Sequence, residues 1–276
     1  MKSIVTIALK EMRDALRNRW IISATLLLAG LAFVLVFLGS APTAGELGVK
    51  PLAVVVVSLS SLTIFLMPLI ALLLSYDALV GEAERGTLFL LFTYPITRIQ
   101  LLLGKFFGHV GVILIATVVG YGVAGLAIGV QGNGADPQSR LAFVVLIASS
   151  VLLGSIFIAL AYLISSMVRE RGTAAGLAIG VWLFFVVLYD MALLGLLAAT
   201  KGKLSALLFS GLLLANPVDI FRLFNLSTFE NVRKFSGLAG VSQQATLAPE
   251  ILLATLFLWL LIPLSLAILK FRKMEP

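Results

Sequence analysis

The chain has 276 residues, 61% of them hydrophobic and 12% charged, with a formal net charge of +7 and a mean hydropathy of +1.12. A soluble domain of this length is far less apolar, so the composition implies an integral membrane protein. No cysteine and a single histidine are present, which excludes a disulfide framework, a thiolate metal site and His-pair metal motifs.

In chain order, residues 1–19 come first. Ile4, Val5, Ala8, Leu9, Met12 and Leu16 fall on one helical face, and Lys10, Arg13 and Arg17 on another. This predicts an amphipathic helix lying in the membrane interface, an elbow leading into the first span. The apolar stretch behind it exceeds the 7 to 15 residues of a signal-peptide core, so cleavage near Ser40-Ala41 is not expected. Crossing about 30 Å of hydrocarbon takes roughly 20 residues. Runs of that length occur near 20–39, 52–76, 101–131, 141–166, 173–199 and 249–269. Six transmembrane helices in a single all-α membrane domain, 1–276, are the expectation, because helices close their backbone hydrogen bonds locally and the alternation of barrel strands is absent.

Between the second and third runs lies a polar island, Asp77 to Lys105. It carries Gly81-Glu82-Ala-Glu84-Arg85-Gly86-Thr87-Leu88-Phe89, then Leu91-Phe92, Pro95, Thr97-Arg98 and Gly104-Lys105. Acids at its start complement a helix dipole, Gly86 disfavours helix so that the helix is expected to begin after it, and Leu88, Phe89 and Phe92 offer apolar anchors. The island reads as a docking helix for a soluble partner. Thirteen of the 20 Lys and Arg lie in residues 1–19, 77–105, 167–172 and 270–276, which places those segments and both termini in the cytoplasm. The positive charge is thus an orientation signal for the lipid bilayer, not a nucleic-acid footprint.

The segment 200–248 falls outside. Leu204 to Ala215 is too short to span and reads as re-entrant or interfacial. Asn216-Pro217 then resembles an N-cap and first-turn proline opening a second short helix through Asp219 and Arg222. Asn216, Pro217, Asp219 and Arg222 are candidates for docking an external protein.

Chemistry-bearing residues are few. The Gly-x4-Gly-Lys-Ser/Thr pattern is missing, so ATP is not held by that device, and His109 alone cannot supply a His-Glu-x-x-His zinc site. Asp77 and Asp190 suggest an intramembrane aspartyl protease as an alternative, but such carboxylates must lie about 3 Å apart. The predicted topology separates them by roughly 26 Å of depth. Asp190 within a span is a candidate pathway residue, weighed against anchoring by water or Lys201. His109 carries the same alternative, as a hydrogen-bonded packing residue. Gly172, Gly176 and Gly180, and likewise Gly104 and Gly108, recur every four residues, a spacing that admits close helix packing within one subunit or across a dimer seam. Met67, Met167 and Met191 offer soft ligands of the kind Cu(I) takes, but methionines scattered through an apolar bundle read as packing.

The polar island resembles the cytoplasmic loop signature of type 2 ABC transporter permeases: an acid, Gly86-Thr87-Leu88, Pro95 with Thr97-Arg98, then Gly104-Lys105. Further stretches, among them Lys10-Glu11 with Asp14, Phe65 to Leu74, Leu103 to Phe106, Ala174 to Ala178 and Asn216-Pro217 with Asp219-Ile220, are similar to one branch of that family. That branch is the permease subunit of the ABC complex that matures the copper centres of nitrous oxide reductase. The resemblance implies no cofactor on the chain itself, two ATP-hydrolysing partner subunits, a second copy of the chain, a periplasmic accessory protein and the bacterial inner membrane. It also implies that Glu82, Glu84, Arg85, Gly86, Thr87, Leu88, Phe89, Leu91, Phe92, Pro95 and Arg98 form the coupling helix seated in the ATPase. The chain itself is then not an enzyme. A generic type 2 exporter of lipid, glycan or drug is the alternative within the family.

Overall fold

The computed structural model describes residues 2–17, 19–39, 51–130, 137–201, 203–227 and 247–273. Among them no strand occurs; the fold is all-α, as expected where lipid offers no partner for a free backbone group. The helices are α1 (Lys2–Leu16), α2 (Arg19–Gly39), α3 (Pro51–Ser75), α4 (Val80–Glu84), α5 (Thr87–Phe92), α6 (Arg98–Val130), α7 (Pro137–Ser165) and α8 (Arg171–Leu183). A π-helical segment, Phe184–Leu188, joins α8 to α9 (Tyr189–Ala199), and α10 (Ala206–Leu214), α11 (Pro217–Ser227) and α12 (Pro249–Lys273) follow.

Five helical stretches among the described residues are long and apolar enough to cross a membrane: Val56–Glu84, Arg98–Gly122, Leu141–Ser165, Arg171–Ala199 and Pro249–Lys273. The expected first span is α2, 21 residues and almost wholly apolar, about 30 Å long at 1.5 Å per residue. Helices α10 and α11 meet at 107° and pass the same test only as a broken pair. Of the segment 200–248 expected outside, residues 202 and 228–246 lie outside the described residues, as does the Ser40-Ala41 position.

The core sits among α3, α6 and α7, where Leu59, Met67, Leu72, Leu102, Phe106, Phe157 and Tyr162 are buried. Most of its polar members find partners nearby, while the buried Ser60 hydroxyl of α3 has none among the described residues. Thr63 donates to the Leu59 carbonyl, and Thr63 and Tyr121 share a hydrogen bond between α3 and α6. Pro68 removes one donor from the α3 ladder, and in that turn the Trp182 indole of α8 donates to the Phe65 carbonyl at 3.0 Å.

Helix α1 lies against the first turns of α6. A Cβ at Gly104 would fall 2.7 Å from Cβ of Ile7, and one at Gly108 would fall 2.7 Å from Cβ of Glu11 and 2.9 Å from the Ala8 carbonyl. Bare backbone at these positions is therefore what admits α1. The Gly104–Gly108 pair is a seam within one subunit, between elbow and span.

Candidate coupling surface

The polar island folds as two short helices fastened to four other elements. At its start the Leu79 and Val80 amides donate to the Ser165 hydroxyl at the end of α7, at 3.1 and 3.0 Å. Asp77 accepts from the Arg171 guanidinium of α8 at 2.6 Å. Helix α4 stops at Gly86, whose φ of +70° is left-handed, a conformation glycine adopts without steric cost. Helix α5 thus begins at Thr87, after the break foreseen at Gly86. The Thr87 hydroxyl donates back to the Glu82 carboxylate across that break. After Pro95, Thr97 and Gln100 close a reciprocal capping box on α6: the Thr97 amide donates to the Gln100 side chain at 3.0 Å and the Gln100 amide to the Thr97 hydroxyl at 3.2 Å.

Helix α5 shows two faces. Leu88 is 1% exposed and joins the core, while Phe89 and Leu90 are 57% and 64% exposed and Tyr94 64%. Leu91 is half-buried against the core, Glu84, Arg85 and Pro95 are exposed, and the side chain of Phe92 lies outside the described residues. The apolar anchors expected from sequence are corrected accordingly: Leu88 faces this chain's own interior, and Leu90 and Tyr94 stand beside Phe89 outside. Two polar members also turn inward. Glu82 binds Lys105, and Arg98 donates to the Phe271 and Arg272 carbonyls at 3.2 and 3.5 Å, where a cation complements the negative end of the α12 dipole.

Behind this segment, α1, α3, α4, α6 and α8 enclose a half-open cleft of about 400 Å³ lined by Glu11, Asp77, Glu82, Lys105, His109 and Arg171, among others. Lys105 is 4% exposed; its ammonium lies 2.9 Å from Glu11 and 3.0 Å from Glu82. A lysine in the first turns of a span is costly unless paired, and two carboxylates supply the pairing. Burial pushes the Glu11 carboxyl up, but the Lys105 ammonium, with Lys10 behind it, more than offsets this and holds it below its ordinary value of 4.5. His109, buried on α6, meets the Tyr162 hydroxyl through Nδ1 at 2.9 Å. Four acids, Glu11, Asp14, Asp77 and Glu82, face Lys10, Arg85, Lys105 and Arg171 in the cleft, so its formal charges balance.

At the opposite end, the π segment and the α10–α11 corner are held together. A π turn leaves a carbonyl without its usual donor; the Asn216 side chain donates to that of Phe185 at 3.0 Å, donates to Asp219 at 3.1 Å and accepts from the Val218 amide at 3.0 Å. The last is the N-cap expected at Asn216. Tyr189 and Trp259 donate to the Leu212 and Leu214 carbonyls at the end of α10. Arg222 bridges Asp190 at 2.7 Å and Asp219 at 2.9 Å. The partner of Asp190 is therefore Arg222, where water or a lysine such as Lys201 was expected. Asn216, Pro217 and Asp219 are buried, which removes them from an external docking surface and leaves Arg222 as the partly exposed member.

Asp77 and Asp190 each pair with a different arginine, and Arg171 and Asp190 stand 19 residues apart on one span, roughly 28 Å at helical rise. No shared proton joins them. Gly172, Gly176 and Gly180 have nothing within 4 Å of an added Cβ. They line an open stripe on the span Arg171–Ala199, the least buried of the five.

Sequence reasoning singled out the island but missed Glu11, Ser165 and Arg171 as its fastenings. The available signals were weak: a lysine inside an apolar run, and an acid on the polar face of α1.

The comparisons with known proteins agree with this architecture. Residues 5–275 match the family described as "ABC-2 family transporter protein". The chain is 45% identical over 274 residues to "Probable ABC transporter permease protein NosY" of Stutzerimonas stutzeri and 46% identical over 274 residues to the protein of that name in Pseudomonas aeruginosa, covering 99% of this chain and of each relative. The chain belongs to the ABC-2 transporter family and is a membrane permease of the NosY type.

Proposed function

We propose that this permease is the membrane half of an ATP-driven complex of the bacterial inner membrane, with both termini, α1 and the α4–α5 segment in the cytoplasm. A separate ATPase subunit docks on Phe89, Leu90 and Tyr94, flanked by Glu84 and Arg85. The observation that carries this reading is the contrast within α5: one face locked into the core through Leu88, the adjoining face presenting large apolar side chains beside charges. A segment fastened to α6, α7 and α8 and carrying an apolar face is built to receive a push. Anchors of that kind dominate protein interfaces.

A second copy of the chain covers the Gly172–Gly176–Gly180 stripe and completes a two-fold permease, and a periplasmic accessory protein meets the α10–α11 end. ATP-driven closure of the docked subunits displaces the α4–α5 segment and repacks the bundle between two states. The work so delivered serves assembly of the copper centres of nitrous oxide reductase, which relates this chain to the complex its sequence resembles.

The test is co-purification. Tagged permease expressed with a candidate ABC ATPase subunit from the same organism retains that subunit; Phe89→Asp and Leu90→Asp release it while permease yield holds. Retention of the ATPase by both variants sinks the docking assignment. A strain lacking this permease, complemented by the same variants, reports on nitrous oxide reductase: loss of its copper absorption is expected with each.

A further inference from the structure

We propose that Lys105 is the joint that makes the elbow helix α1 move as one body with the coupling helix α5. Some 70 residues separate the two helices in sequence, yet an unbroken polar chain connects them. Glu11 on α1 meets Lys105 on α6 at 2.9 Å, Lys105 meets one oxygen of Glu82 on α4 at 3.0 Å, and the other oxygen of Glu82 accepts from the Thr87 hydroxyl at the first residue of α5.

Three features make this a tie and not an ornament of a wet surface. The ammonium is almost fully buried, so its two ion pairs are screened little by salt. Glu82, on the α4 side of the Gly86 break, uses both carboxylate oxygens, one on Lys105 of α6 and one on Thr87 beyond the break, so α5 is steered despite the left-handed glycine between it and α4. The glycine seat at Gly104 and Gly108 brings α1 backbone into contact with α6 next to the lysine, which fixes the distance that Lys105 has to bridge. Lys105 acts through the glutamates and is a positioning residue. Displacement of α5 then reaches α1, whose exposed Val5 and Leu9 face away from the bundle, through the first turns of α6 alone. The motor in this picture rests on the reading under Proposed function; the tie itself does not.

The experiment separates the two. The chain has no native cysteine, so Arg13→Cys on α1 and Thr93→Cys after α5, both exposed positions, take spin labels cleanly for pulsed-dipolar distance measurement in nanodiscs. The permease alone is expected to give one narrow distance distribution, Lys105→Met a distribution at least twice as broad, and Lys105→Arg a narrow one again. Should Lys105→Met fail to fold, Glu82→Gln cuts only the α4–α5 arm and broadens the distribution in the same direction. In the complex with ATPase subunits, nucleotide-free and vanadate-trapped samples of the parent share one separation, and Lys105→Met gives two. A distribution that stays narrow in Lys105→Met and Glu82→Gln overturns the tie, as does a parental separation that changes on trapping. Absence of a bound ATPase sinks the docking reading alone, because the distances in the isolated permease still decide the tie.

Discussion

The two ends of the bundle are held by different chemistry. At the α1 end, charges do the fastening: Lys105 between two glutamates, Arg171 on Asp77, Arg98 on the last carbonyls of α12. At the α10–α11 end, neutral donors carry most of it, with Asn216, Tyr189 and Trp259 each holding a backbone carbonyl, and one arginine between two aspartates. The difference follows from what each end has to hold. The α4–α5 segment is two short helices with no span of their own, and ion pairs reach them from distant elements. The far end has a π turn, a helix terminus and a 107° corner, which expose carbonyls, and a carbonyl in lipid needs a donor more than it needs a charge.

Removing a buried charge should therefore hurt most. Lys105→Met leaves Glu82 without its counterion and Glu11 with only the exposed Lys10 at 3.4 Å, and breaking a buried pair from one side costs about 3–5 kcal/mol; the thermal midpoint of the detergent-solubilised permease should fall more for this variant than for any single change at the far end. Equal loss for Asn216→Ala would erase the contrast between the ends.

Next in size are the two faces of α5. Leu88→Ala opens a cavity in the core at a cost of about 2–5 kcal/mol, whereas Phe89→Ala, exposed, should stay within about 0.5 kcal/mol. Parallel melting curves check the pair, and similar shifts would mean that α5 is turned differently. Asn216→Leu strips the Phe185 carbonyl and the Val218 amide of partners, each group costing about 1–3 kcal/mol to leave unpaired. Tyr189→Phe removes only one such bond and should cost less.

The smallest effects belong to pH and to surface pairs. Because Lys105 holds the Glu11 carboxyl below 4.5, the pair contributes fully above that pH and is lost as pH falls through the lower folded value. The stability difference between parent and Glu11→Gln should be flat from neutrality to pH 4.5 and shrink below it. A difference that shrinks already near pH 6 would show Glu11 unpaired. The Lys10–Asp14 pair is largely exposed, and Asp14→Asn should change the melting midpoint by no more than a helix-surface pair allows, about 0.3–0.5 kcal/mol.

Local signals in the sequence were readable and long-range pairings were not. The apolar runs, the two-faced pattern of α1, the break at Gly86 and the Asn216-Pro217 start of α11 each follow from a few adjacent residues, because span length, periodicity, left-handed backbone and capping are local physics. Which side of α5 faces in was not readable, since Leu88, Phe89 and Leu90 are equally apolar and only the packing of α5 on the bundle distinguishes them. Nor was the pairing of Asp190 with Arg222, 32 residues on, or of Glu11 with Lys105, 94 residues on; periodicity holds no record of such distances. The glycine repeats illustrate the same limit. Gly104 with Gly108 and Gly172 with Gly176 share one spacing, yet the first pair seats α1 and the second lies open.

The claim that the exposed face of α5 receives the motor is tested most directly by photo-cross-linking. A benzophenone on Leu90→Cys at the α5 end, compared with one on the equally apolar and highly exposed Leu207→Cys of α10, should capture the ATPase subunit from membranes co-expressing both proteins, and Leu207→Cys should not. Capture from Leu207→Cys with none from Leu90→Cys would contradict the account and move the motor to the other end of the bundle.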